Sequence, residues 1–153
     1  MKYLPVGLDV RGRTCIVVGG GHIGTRKAVN LLEAGADVTI VAPHASEKLA
    51  QLADTGRLQW HKEEYRKTDL DGAFLAVAAT ENRDVNARLV KDARERKVLV
   101  CDASSASRSQ VIFGALHRSD RTTLAVFTDG QDPSLARRIR DRIASMEEEW
   151  KGG

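Results

Sequence analysis

Gly19-Gly20-Gly21-His22-Ile23-Gly24 places glycine at the first, third and sixth positions of the pattern G-x-G-x-x-G. Each of the three has its own physical reason. Gly19 permits a tight turn, Gly21 lets a pyrophosphate come up against bare backbone, and Gly24 lets a helix pack closely on a strand. A helix that starts at such a turn offers free N–H groups and the positive end of its dipole to an anion. The chemistry implied is the binding of a dinucleotide. Such a site normally adds a carboxylate about 20 residues on, at the end of the next strand, for the adenosine ribose hydroxyls. Here that stretch reads Val41-Ala42-Pro43-His44, with no acid and no arginine for a 2′-phosphate. This tips the balance slightly from NADP to NAD and leaves the adenosine to backbone groups and His44. A second position of interest is Asp102, directly after the apolar run Val98–Cys101. A carboxylate at the carboxyl end of a parallel strand lies where open α/β sheets take their ligands.

The elements that must position these residues alternate. Thr14–Val18 is a β-branched apolar run ending in glycine, the pattern of a strand buried on both faces. His22–Ala34 has helical apolar spacing and is followed by Gly35. Asp37–Ala42 is a second strand closed by Pro43. Residues 45–55 read as a helix, 58–61 as a short strand and 74–79 as a buried strand. Thr80-Glu81-Asn82 reads as a cap for a charged amphipathic helix over 84–96, and Val98–Cys101 as a further buried strand. Strands alternating with helices predict a parallel sheet with right-handed crossovers. Beyond Asp102 the texture changes. Residues 104–109 are polar and turn-like. Residues 111–116 and 122–127 read as two antiparallel strands around the turn 117–121, and Pro133–Glu149 as a helix capped by Asp132. The expected fold class is α/β, a Rossmann-like parallel sheet with helices on both faces. The expected domains are a nucleotide-binding unit, 1–102, and a β-hairpin-plus-helix arm, 103–153. The arm is too small to bury a core alone, and pairing into a dimer is the commonest solution.

Composition narrows the partners. The chain has 153 residues, 42% hydrophobic, enough for a core and too many for wholesale disorder. Its 24 basic and 21 acidic residues give a net charge of +3, too mixed to indicate nucleic acid and still compatible with an anionic small molecule. Cys15 and Cys101 both sit in apolar runs and read as buried thiols. No signal-peptide h-region and no bilayer-length apolar stretch is present, so the expected location is the cytoplasm, away from membranes. His22, His44, His61 and His117 lack metal-ligand spacing, and no C-x-x-C, G-x-S-x-G or Walker A lysine motif occurs. Trp60 and Trp150 read as packing or interface residues.

Several segments together resemble the precorrin-2 dehydrogenase family, the NAD-dependent module of siroheme synthases and in some members also a ferrochelatase. These are Leu4-Pro5-Val6, residues 17–28 (VVGGGHIGTRKA), residues 31–43 (LLEAGADVTIVAP), Ala78-Ala79-Thr80, Val85-Asn86, Val100-Cys101-Asp102 and residues 128–136 (TDGQDPSLA). The resemblance covers nearly the whole chain. The glycine turn followed by Arg26-Lys27-Ala28, with the late Pro-x-Leu-Ala helix start, is far more specific than the glycines alone. It implies oxidation of precorrin-2 to sirohydrochlorin with NAD as hydride acceptor. It further implies cofactor contacts at Gly19, Gly21, His22, Ile23, Gly24, Pro43, His44, Ala79 and Thr80. Asp102 would act as the catalytic carboxylate, accepting a ring proton or polarising a pyrrole N–H, or would hold Fe²⁺ if the chain also chelates.

The same resemblance implies that Thr128 and Gly130 meet the tetrapyrrole and that the arm forms a homodimer. Arg118, Arg121, Arg137 and Arg138 are candidates to attract a polycarboxylate substrate. Departures from the family pattern are Leu99 in place of asparagine, Gly114 in place of proline, and Asp132 in place of a small residue. The chain also ends at Gly153, where the family continues into a further helical region that helps cover the substrate. These departures motivate an alternative, a non-catalytic module that binds NAD or a tetrapyrrole as carrier or partner subunit. A dehydrogenase for another small acid is a third reading; it lacks a recognisable catalytic histidine or lysine.

Overall fold

The computed structural model describes residues 2–119 and 122–146. One compact unit comprises Gly7–Val111. Within it lie β1 (Thr14–Gly20), α1 (His22–Glu33), β2 (Asp37–Ala45), α2 (Glu47–Asp54), β3 (Gln59–His61), β4 (Leu75–Ala78), α3 (Arg83–Glu95) and β5 (Leu99–Asp102). All five strands are parallel, in the order β3-β2-β1-β4-β5. The chain reverses its direction of winding between β1 and β4. Doubly wound sheets bind ligands at that switch point, outside the carboxyl ends of the strands.

Apart from the short edge strand β3, which is polar and largely exposed, the strands are apolar because both faces are covered. Ile16, Val18, Ala76, Ala78 and Val100 turn toward α3 and bury against Leu89, Val90 and Ala93, with Tyr65 and Leu70 from the segment after β3. Val17 faces the other way, where the space a side chain would claim at Gly24 of α1 lies against its Cγ1. Val17, Ile40, Leu75 and Val77 are fully buried. The core is thus two apolar layers, one on each side of the sheet, as near-continuous apolar strands require.

Several boundaries shift from the sequence expectation, and two of the shifts have a visible cause. β2 does not stop before Pro43 but runs through it to Ala45. Pairing with β3 reaches only Val41↔His61, so beyond that register no neighbour on that side needs the N–H that proline lacks. The register with β1 shifts between Val18 and Gly20, which carries the strand on to the pair Gly20↔Ala45. The Trp60 indole N–H donates to the Ala42 carbonyl at 2.9 Å and pins the end of β3 to the end of β2.

The second difference concerns the first hairpin strand. Gln110 N and Val111 N both donate to the Val100 carbonyl, at 2.8 and 3.1 Å, which keeps this segment on β5 through Val111. The strand expected over 111–116 therefore begins only at Ala115. The second unit carries β6 (Ala115–Arg118), β7 (Thr123–Val126) and α4 (Pro133–Ala144), with β6 and β7 antiparallel. Asp132 caps α4 by accepting from Leu135 N at 2.8 Å, and Arg140 Nη1 ties the helix to β6 through the Leu116 carbonyl at 3.1 Å. α4 ends at Ala144, with Ser145 as its C-cap, short of the expected Glu149. Arg121, Trp150 and residues 147–149 lie outside the described residues. No helix among the described residues is long and apolar enough to cross a membrane.

Candidate functional site

The glycine turn is built by close approach of backbone to backbone. Gly19 has φ +118°, and a Cβ there would lie 2.4 Å from the Ala79 carbonyl oxygen at the end of β4. A Cβ on Gly20 would lie 2.2 Å from the His44 carbonyl oxygen, and one on Gly24 would lie 2.0 Å from the Gly19 carbonyl oxygen. These distances are far below van der Waals contact, so three glycines exist to bring β1, β2, β4 and α1 together. Gly21 differs: a Cβ there meets nothing within 4 Å. Its φ of −78° suits any residue, and it is the N-cap of α1 with no side chain to fill that role. The first intrahelical bond runs from Thr25 N to the Gly21 carbonyl at 2.9 Å. The amides of His22, Ile23 and Gly24 therefore have no acceptor within the helix. Open space, bare backbone and free amides at a helix start together make a cradle for a phosphate.

This cradle opens into a cleft of about 700 Å³ along the carboxyl ends of β1, β2 and β4. Gly19, Gly21, Pro43, His44, Ala79 and Thr80 line it. Gly24 lies behind the turn, packed on Gly19. His22 lines a separate depression with Thr25, Arg26 and Lys48, and Ile23 is 45% exposed. Two polar devices hold the walls. Ser46 caps α2 through Leu49 N, donates its own N–H to the Gly20 carbonyl at 2.8 Å, and shares a 2.8 Å hydroxyl contact with Thr25. Asn86, 1% exposed, donates from Nδ2 to the Thr80 carbonyl at 3.0 Å, and its Oδ1 accepts from the Thr80 hydroxyl at 2.7 Å. Asn86 thus fixes the β4–α3 loop against the cleft. Its reason is visible only in three dimensions, because the partners are main-chain and side-chain atoms of one residue six positions back.

Asp102 ends β5, paired in register with Ala78. Its side chain is fully buried and both oxygens are engaged. Oδ1 accepts from Ser104 N at 2.9 Å and Ser104 Oγ at 2.6 Å, and Oδ2 accepts from Arg108 Nε at 2.7 Å. Ser109 Oγ holds the Asp102 amide at 2.8 Å. The polar run 104–109 is therefore a wrapping for this carboxylate, a function its composition alone did not reveal. Asp102 is not among the residues that line the 700 Å³ cleft.

Thr128, Gly130 and Asp132 belong to the second unit. Gly130 has φ +74° and Asp129 φ +50°, both left-handed, so the segment turns sharply before α4. Thr128 Oγ1 donates to the Asp132 carbonyl at 2.9 Å. The Asp132 carboxylate is spent on the helix start. Hydrogen bonds from the Ser134 hydroxyl and the Leu135 amide hold its pKa below the usual carboxylate range. Arg118, Arg137 and Arg138 are exposed.

A family model described as NAD(P)-binding matches residues 6–115. The chain belongs to that family. It is 37% identical over 146 residues to the siroheme synthase of Photobacterium profundum, and 40% identical over 146 residues to that of Chromobacterium violaceum. Each alignment takes in 95% of this chain and 31% of the relative, so the chain spans about a third of the length of these curated relatives. Among solved structures it superposes on SirC, a precorrin-2 dehydrogenase, with a TM-score of 0.81 and 35% identity, covering 94% of this chain and 70% of that one. The Rossmann-like sheet and the hairpin-plus-helix that follows it are those of this structural relative.

Proposed function

We propose that this chain is an NAD-dependent dehydrogenase that oxidises precorrin-2 to sirohydrochlorin, a step of siroheme biosynthesis. The observation that carries the reading is the cleft floor at Gly21, where open space meets the unpaired amides of α1 at the switch point of the sheet. The donor set fits a dinucleotide: neutral amides and a helix dipole for the pyrophosphate, and apolar walls from Val18, Ala42 and Ala79 for the rings. Bound there, NAD supplies the hydride acceptor. The chain orients it through Gly21 and the Thr80 loop that Asn86 fixes, and excludes water with the apolar strand ends.

Oxidation removes a hydride and a proton from the substrate, and Asp102 is our candidate to take the proton. Its carboxylate is engaged by Arg108 and Ser104, so it acts only after Arg108 exchanges partners, and a polycarboxylate substrate brings competing anions for that guanidinium. Thr128 and Gly130 are the candidate substrate contacts. Holding Fe²⁺ would use the same two Asp102 oxygens. The cytoplasm is the proposed location.

We further propose a homodimer through the second unit. Leu135, Ile139 and Ile143 form a stripe along α4, continued by Met146 in the turn after it, each 37–40% exposed. That stripe suits burial against a second copy.

The test is anaerobic incubation of the purified full chain with precorrin-2 and NAD. Absorbance of NADH should rise in step with sirohydrochlorin. A folded chain whose melting temperature rises with NAD, yet yields no NADH, is a binding module instead.

A further inference from the structure

β2 ends without the carboxylate that usually receives the adenosine ribose, but the cleft is not without one. Glu64, in the loop after β3, lines the same cleft as Pro43 and His44. Its loop is anchored on both sides. Trp60 Nε1 bonds to Ala42, which holds β3 to the end of β2. Tyr65 is buried at 5% exposure, with its hydroxyl donating to Asp92 Oδ2 at 3.0 Å, and its carbonyl accepts from Arg88 Nη2 at 3.1 Å. The adjacent acid serves a different purpose: Glu63 pairs with Arg66 at 3.0 Å. Glu64 has no hydrogen bond or ion pair to any described residue, although its loop is held at Trp60 and Tyr65. A fixed backbone presenting an uncommitted carboxylate to a nucleotide cleft is the arrangement of a ligand-reading group.

Resting on the dinucleotide reading of the cleft, we infer that Glu64 does from the loop after β3 what the missing acid would do from β2. It accepts hydrogen bonds from the adenosine ribose hydroxyls and repels a 2′-phosphate, which makes the chain specific for NAD over NADP. Arg88 is the opposing group at this end of the cleft. Its guanidinium lies 5.4 Å from the Tyr65 ring centre and donates to the Tyr65 carbonyl, so it is committed to holding the loop. Two like charges brought together at the ribose cost enough to shift affinity by about tenfold or more.

The experiment is calorimetric titration of the full chain with NAD and with NADP, for the wild type, Glu64→Gln and Glu64→Lys. The wild type should prefer NAD by about tenfold or more. Glu64→Gln keeps the size and removes the charge, so NADP affinity should rise and the ratio collapse toward one. Glu64→Lys should reverse the ratio. A gain of NADP affinity is not something a merely structural defect produces. Melting temperatures of the variants without cofactor should equal the wild type, because Glu64 supports no described contact. A wild type that binds NADP as tightly as NAD, or variants that leave the ratio unchanged, overturn the assignment while the dinucleotide site stands. A folded wild type that binds neither removes the dinucleotide reading and this inference with it.

Discussion

Gly21 and Gly24 separate folding from binding within one six-residue turn. An alanine at Gly24 would put its Cβ 2.0 Å from the Gly19 carbonyl oxygen, and one at Gly20 would sit 2.2 Å from that of His44. Neither obstacle is a flexible side chain, so strand and helix must move apart. Such overpacking costs about 3 kcal/mol, at the top of the usual range. For a chain of this size that is a fall of about 6–12 °C in melting temperature. Gly21→Ala meets open space at ordinary φ. Its poorer N-cap character, roughly 0.5 kcal/mol, is offset by a similar gain from a stiffer unfolded chain. The melting temperature without cofactor should stay within about 2 °C of wild type. Its effect is on the ligand, because the added methyl occupies the space the pyrophosphate needs. At 100 times Kd, NAD stabilises the wild type by ~2.7 kcal/mol, or about 5–11 °C. The assay is scanning fluorimetry with and without NAD. Gly24→Ala should melt low, and Gly21→Ala should melt normally with its NAD-induced rise abolished. A Gly21→Ala chain that keeps the full rise would refute the cradle, and a Gly24→Ala chain with wild-type stability would refute the steric account of the turn.

Arg108→Ala should leave Asp102 buried with only Ser104. The cost is about 2 kcal/mol, below the usual figure for a broken buried pair because Arg108 is itself 36% exposed, and a melt should show a fall of about 4–8 °C. Asn86→Leu should strand the Thr80 amide and carbonyl, while the Thr80 hydroxyl keeps the Asn82 carbonyl as acceptor; the cost is about 1–3 kcal/mol, and NAD binding should weaken by calorimetry. Burial pushes the Cys15 thiol from about 9 up to about 11, so the folded state holds its proton where the unfolded state has lost it. Stability from this group is complete below about pH 9 and is lost as pH rises to about 11, and Cys15→Ala should flatten that part of a melting-temperature profile. Ile139→Glu should convert the proposed dimer to a monomer in light scattering, with the NAD response of the nucleotide-binding unit unchanged.

The sheet was legible because its inner strands obey one rule, burial on both faces, which leaves runs such as Val17-Val18 and Leu75–Ala78 with no polar interruption. Helix starts were legible where a side chain caps them, as at Asn82 and Asp132. Strand ends were harder. Pro43 reads as a stop, yet a proline is tolerated in β2 once the neighbouring strand has ended, and where β3 ends is a property of pairing. The hairpin began later than its β-branched residues indicated, because Gln110 and Val111 are claimed by the Val100 carbonyl, an acceptor ten residues back that local pattern cannot reveal.

The site divides in the same way. A glycine pattern reports backbone geometry directly, since the conformations and approaches at Gly19 and Gly24 exclude side chains, and sequence therefore locates the turn. Gly20 occupies a variable position of the pattern, and its need for glycine comes from the carbonyl of His44, on a different strand. The carboxylates are the reverse case. Their chemistry depends on what surrounds them, and surroundings are set by the fold. Asp102 stands at the strand end where its position predicts a ligand-facing acid, but the serines and Arg108 that follow enclose it. Glu64 stands in a loop that no pattern marks, and Trp60 and Tyr65 carry it to the cleft that β2 left without an acid. Spacing along the chain thus locates the phosphate cradle. Which acid faces a ligand is decided by where its neighbours' hydrogen bonds go.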